Sequence, residues 1–197
     1  MDLEQDPADH DPTDRDPADQ DPADQVPSPE PGSARGGRGP ATRRPSVARP
    51  VVAPLAGAVR PLADVPDRVF AQGLPGCGLA LDPGREGPVE AVAPIGGRVV
   101  VIHAHAFVVA GDDGAAVLVH LGIGTVQLRG EGFELLVEQG EVVEAGQPVV
   151  CWDPGAVERG GRSPLVPVIA MDTPDEALTD LAGGRVGAGD RLWTWVP

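Results

Sequence analysis

The sequence predicts an all-β fold: an antiparallel β-sandwich or barrel-sandwich hybrid with a duplicated β motif and short helices. Three observations predict it. From about Val51 onward, short β-branched runs alternate with Gly and Pro turns, the spacing of a sandwich or barrel. Two of these runs, Val99–Ala110 and Ala115–Gly122, flank Gly111-Asp112-Asp113-Gly114, a strand–turn–strand signal. Finally, VAPLAGAV from Val52 is echoed by VAPIGGRV from Val92, forty residues later, which indicates a duplicated β unit.

Taken in order, residues 1–25 come first, with a five-residue repeat: DPADH, DPTDR, DPADQ, DPADQ. A Pro at every fifth position blocks helix and sheet, and the acids repel one another, so an extended disordered tail is expected. Residues 26–50 are rich in Gly, Pro, Ser and Arg and predict a flexible linker. The folded domain is expected at 51–197. Its strand runs are VVAPLAGAV, PVEAVAPIGGRVVVI, AFVVAGDDGAAVLVH, GTVQLRG, QPVVCW, PLVPVIA and RLWTWV. Short helices fit 65–72, 132–139, 154–160 and 174–182. The last, with Thr173 as N-cap and Pro174 in the first turn, has the strongest start signal.

Charge is uneven. Residues 1–25 hold ten acids and one Arg, a net of -9; residues 26–50 hold five Arg and one Glu, a net of +4; residues 51–197 carry -10. An acidic domain repels nucleic-acid phosphates and favours basic partners. Lys is absent, which excludes lysine-attached biotin or lipoate and Schiff-base chemistry. Cys77 and Cys151 stand far apart with no metal-like spacing. No apolar leader or membrane-length run occurs, so a cytoplasmic protein that is not membrane-embedded is expected.

The chemistry concentrates in histidine. In the hairpin, a two-residue Asp112–Asp113 loop would set His105 directly opposite His120, their Cβ atoms about 4.5–5.5 Å apart. An Asp113–Gly114 loop would make them diagonal neighbours on the same face. A one-residue bulge would put them on opposite faces. His103, two residues before His105, shares its face. Facing imidazoles hold each other near neutrality, and neutral imidazole is the nucleophilic and metal-binding form. Phosphoryl carriage, zinc binding and general acid–base work all fit this arrangement. Val117, Val119, Leu121, Ile123 and Phe107 would keep water scarce around it.

The run GAAVLVHLGIGTV (Gly114–Val126) resembles the phosphohistidine signature of the glucose-type enzyme IIA domain of the bacterial phosphoenolpyruvate:sugar phosphotransferase system. LRGEGF (Leu128–Phe133), HAF (His105–Phe107), PLADVPDRVFAQG (Pro61–Gly73) and VAPIGG (Val92–Gly97) extend the resemblance across roughly residues 51–197. It implies that His120 accepts a phosphoryl group from the phosphocarrier HPr. His120 would pass it to a cysteine of a sugar-specific enzyme IIB, whose IIC permease is expected on another polypeptide. His105 matches the second family histidine, which supports the phosphoryl group without carrying it. His103 and Thr125 would stand behind this pair. Asp67 would be an acidic contact, and Val69, Phe70, Leu118 and Leu121 an apolar partner-binding surface. No cofactor is needed.

Three positions depart from the family pattern. His103 replaces a Thr, Gly124 replaces an acidic docking residue, and Arg68 occupies a usually apolar rim position. Partner choice is affected more than the chemistry.

Other readings compete. His105 and His120 could bind zinc with a partner's carboxylate, or with His103 as a third ligand. A zinc peptidase of related fold would also need an upstream His-x-x-x-Asp pair, and only His10 and Asp14 in the repeat match its spacing. EQGEVVEAGQPVV (Glu138–Val150) resembles a biotinyl-type hairpin, without the lysine. A regulatory module is the third alternative. Unphosphorylated, it would bind transporters or kinases, and the added negative charge would release them.

Overall fold

A computed structural model describes residues 48–196. The acidic repeat and nearly all of the linker lie outside them. The strands are β1 (Arg49–Val52), β2 (Gly57–Pro61), β3 (Gly76–Pro83), β4 (Val89–Val92), β5 (Gly97–His103), β6 (Ala106–Ala110) and β7 (Ala116–His120). They continue with β8 (Phe133–Leu135), β9 (Val142–Val143), β10 (Pro148–Trp152), β11 (Val166–Met171), β12 (Leu178–Thr179), β13 (Arg185–Val186) and β14 (Arg191–Trp195). Two short helices accompany them, α1 (Arg68–Ala71) and α2 (Pro154–Arg159).

An eight-stranded sheet runs β13-β2-β3-β11-β7-β6-β5-β9, and two three-stranded sheets run β1-β14-β12 and β4-β10-β8. Every pairing among the described residues is antiparallel. One core joins all three sheets, with Trp193, Trp152 and Phe107 among its largest buried side chains. The all-β sandwich is therefore the observed architecture.

The duplicated unit is visible atom by atom. The Val52 N–H donates to the Pro94 carbonyl at 2.9 Å, and the Val92 N–H donates to the Pro54 carbonyl at 2.7 Å. These are the same bonds exchanged between the two copies. Each copy then seats a tight turn. The Ala53 N–H donates to Asp190 O and the Ala93 N–H to Gln147 O, both at 2.8 Å. Gly189 and Gly146 return bonds of 2.9 Å to the carbonyls of Ala53 and Ala93. Both turn glycines adopt positive φ, 83° and 86°, where a side chain would be strained. The stretches VGAGDRLW (Val186–Trp193) and VEAGQPVV (Val143–Val150) are thus a second internal echo, which the sequence analysis did not separate.

Several expectations need correction. Arg49 and Pro50 belong to β1, so the domain starts inside the stretch assigned to the linker. The 65–72 helix shrinks to α1, and 154–160 holds α2 as expected. The 132–139 segment forms β8, because its backbone pairs with β10. The 174–182 segment makes only a 3-10 turn, Asp175–Ala177, before β12 pairs with β14. Thr173 does not cap it; its hydroxyl donates to Met171 O at 2.7 Å. GTVQLRG is a 3-10 turn, Thr125–Leu128, entered through Gly124 at φ 73°. For 132–139, 174–182 and GTVQLRG, long-range pairing or a left-handed entry residue overrides local propensity.

Candidate phosphoryl-transfer site

The hairpin that carries the site is built differently from either expected register. Asp112, Asp113 and Gly114 form a three-residue loop between Gly111 and Ala115, whose backbones bond at 2.8 Å. Gly114 supplies the positive φ of 85° that such loops require. An odd loop shifts the pairing by one. Ala106, not His105, stands opposite His120. By strand alternation alone His105 would then point to the other face.

A second turn reverses that outcome. The expected continuous strand 99–110 breaks at Ala104–His105, a two-residue turn between the paired His103 and Ala106. His105 leaves the strand geometry there and swings its ring back. The His105 and His120 ring centroids lie 5.2 Å apart, edge to face at 64°. The ring of His103 stacks on His105 at 5.9 Å and 10°. Three imidazoles thus run from an exposed position inward to a buried one.

His120 ends β7, and its side chain is 4 % exposed. Its Nδ1 lies 2.6 Å from the Gly122 carbonyl oxygen. A carbonyl only accepts, so Nδ1 carries the proton and Nε2 carries the free lone pair. That Nε2 is buried without a hydrogen-bond partner, as is Nε2 of His105. Buried unpaired nitrogens are costly, and here two of them occupy one site. Burial pushes His120 down to about 4, against the Gly122 carbonyl and the Asp67 charge. Burial, with His120 and His103, pushes His105 down to about 4. Both rings are neutral at physiological pH.

The surroundings explain how the ring is held. Phe70 of α1 covers the His120 ring, centroids 5.1 Å apart, and is itself 1 % exposed. Asp67 caps α1, its Oδ1 accepting from the N–H groups of Val69 (2.8 Å) and Phe70 (3.2 Å). Gly122, at φ 75°, turns the chain so that its carbonyl reaches back to His120. Thr125, 1 % exposed, donates to Leu121 O at 2.9 Å and so supports this turn.

The expected apolar partner surface needs correction. Leu118 (3 % exposed) and Leu121 (0 %) are buried, and Phe70 is spent on the imidazole. Leu121 joins the core between the sheets because its strand parity is opposite to that of His120. Val69 is half-buried, and Val126, which the sequence reading missed, is exposed on the 3-10 turn after His120. Position 124 offers no carboxylate; Arg162 Nε donates to its carbonyl at 3.0 Å. Among the described residues, no three His, Cys, Asp or Glu side chains are grouped to hold a metal ion.

A family model described as "phosphoenolpyruvate-dependent sugar phosphotransferase system, EIIA 1" matches residues 49–175. The chain belongs to this EIIA family. Two glucose-specific EIIA components from Staphylococcus aureus strains (Mu50 and N315) are each 41% identical over 131 residues, 66% of this chain and 77% of theirs. An N-acetylglucosamine-specific EIICBA component from Klebsiella pneumoniae is 41% identical over 140 residues. That covers 70% of this chain but only 21% of the Klebsiella protein. The structure is similar to glucose permease IIA from Mycoplasma capricolum, with a TM-score of 0.69 and 31% identity. The match covers 75% of this chain and 96% of that one. This EIIA protein is accordingly a phosphocarrier component of a sugar phosphotransferase system, with a β-sandwich of the glucose permease IIA type. No helix among the described residues is long and apolar enough to cross a membrane.

Proposed function

We propose that Nε2 of His120 takes a phosphoryl group from phospho-HPr and hands it to a cysteine of a sugar-specific enzyme IIB. The observation that carries this reading is the state of the two nitrogens. Nδ1 of His120 is committed to the Gly122 carbonyl, which leaves Nε2 as an unpartnered nucleophile on a ring 5.2 Å from that of His105, whose own Nε2 is also unpartnered.

The steps balance simply. The lone pair of Nε2 forms the N–P bond as the donor's N–P bond breaks. Nδ1 keeps its proton, so the phosphorylated ring is cationic, and the Gly122 carbonyl dipole stabilises it. His105, protonated at Nε2, donates to a phosphoryl oxygen, where charge persists through the loose transition state. In the return step an enzyme IIB thiolate attacks phosphorus, and the cationic imidazole leaves as the neutral ring. Phe70 and the buried strand residues keep hydrolytic water away. Nitrogen–phosphorus exchange needs no cofactor, and we propose none. We propose the cytoplasm as the site of this step, because the donor chain begins at phosphoenolpyruvate.

Phosphorelay reconstitution tests this reading. With phosphoenolpyruvate, enzyme I and HPr, intact mass should show one phosphoryl group on the wild type and none on His120→Ala. His105→Gln should accept but not donate onward. Labelling of His120→Ala, or normal onward transfer by His105→Gln, would refute the assigned roles.

A further inference from the structure

His120 and His105 are held in different ways. The His120 ring is fixed by the hydrogen bond from Nδ1 to Gly122 and by Phe70. The His105 ring makes no hydrogen bond among the described residues, and its Nε2 is buried without a partner. Its backbone sits in a two-residue turn rather than in a strand. Two aromatic contacts bear on its orientation: the edge contact with His120 at 5.2 Å and the parallel stack on His103 at 5.9 Å.

We propose that His103 is the positioning residue for His105, its ring forming the wall that turns Nε2 of His105 towards Nε2 of His120.

The register explains why position 103 can do this. His103 pairs with Ala106, and Ala106 pairs with His120. The three residues form a row on one sheet face, with the smallest in the middle. The methyl group of Ala106 leaves room above it, and rings stand on both sides. The His105 ring stands within stacking distance of both flanking histidines. An offset parallel stack at this separation is favourable beyond its area alone. A flat ring at 103 thereby replaces the hydrogen bond that the His105 imidazole otherwise lacks. His103 touches no reacting atom; it acts through His105. The proposal rests on the reading that His105 supports the phosphoryl group on His120.

The experiment compares His103→Ala and His103→Phe in the full chain, since Phe keeps a stacking ring without its nitrogens. Two readouts are taken. One is the rate of onward phosphoryl transfer from phosphorylated His120 to a glucose-type enzyme IIB domain, the step assigned to His105. The other is the NMR signal of the His105 ring. His103 is exposed, so the thermal midpoint should stay at the wild-type value. His103→Ala should slow transfer by about two- to tenfold and shift or broaden the His105 ring signals. His103→Phe should restore both. The proposal is overturned if His103→Ala leaves rate and ring signals unchanged, or if His103→Phe behaves like His103→Ala. If the wild type takes no phosphoryl label, the phosphocarrier site assignment fails instead. The ring signals then still decide whether His103 orders His105.

Discussion

At the scale of the residue, His120 is defined by which nitrogen holds the proton. The bond to Gly122 selects Nε2 as nucleophile, and burial with a value of about 4 keeps it neutral. A free imidazole titrates near 6.5 and would be mostly cationic at pH 5.5. Phosphoryl acceptance should therefore stay level from pH 8 down to about pH 5.5 and fall only below that. A stopped-flow pH profile that drops near 6.5 would contradict this. Phe70 supplies the cover. Phe70→Ala should cost about 3–5 kcal/mol of stability and shorten the lifetime of phosphorylated His120, read by denaturant titration and by loss of label over time. The sequence singled out His120 and His105, and the fold brings their rings to 5.2 Å. It misassigned Phe70, Leu118 and Leu121 as partner surface, because an apolar residue beside a site does not reveal which face it takes.

Among the elements, the β6–β7 hairpin and the turn after it decide the site. The loop length could not be read from Gly111–Gly114, since two- and three-residue loops both fit those letters. The three-residue form is braced by Asp113, which accepts from the Ala115 N–H at 3.2 Å and pairs with Arg49 of β1 at 2.7 Å. The Arg49 partner lies more than sixty residues upstream, outside any local pattern. After His120 the chain must turn at once, and Gly122 does so at φ 75°. A Cβ there would sit 2.7 Å from Thr125 Cγ2 and 3.0 Å from Ser163 O. Gly122→Ala should cost about 1–3 kcal/mol from backbone strain and displace the carbonyl that orients His120. Calorimetry and the transfer rate should both register it; a variant with unchanged rate would show that the Gly122 bond is dispensable. Helix 174–182 failed for a related reason: β12 pairs with β14, and this long-range ladder outweighs the local start signal.

For the whole molecule, the two imidazoles link stability to pH. Each binds a proton near 6.5 when unfolded but only near 4 in the fold. Between these values the unfolded chain takes up more protons, so stability is full above about pH 6.5 and falls as pH drops towards 4. The slope approaches about 1.4 kcal/mol per pH unit for each ring. Denaturation midpoints of the wild type should fall across this window more steeply than those of a His105→Gln/His120→Gln variant. Equal slopes would mean that the pair is not held neutral. The global plan was legible in part. The forty-residue echo is real and seats reciprocal backbone bonds between Val52–Pro94 and Val92–Pro54. Its companion, Val143–Val150 with Val186–Trp193, went unread because only the glycine and its flanking apolar positions are shared. By itself the sequence determined the strand-rich class and the duplicated unit and singled out the two histidines, since composition, periodicity and turn residues are local quantities. Only the tertiary structure decided that these histidines meet. Side-chain direction on a strand reverses with a one-residue change of register. That register, the Ala104–His105 turn and the Phe70 cover are set by contacts between distant segments.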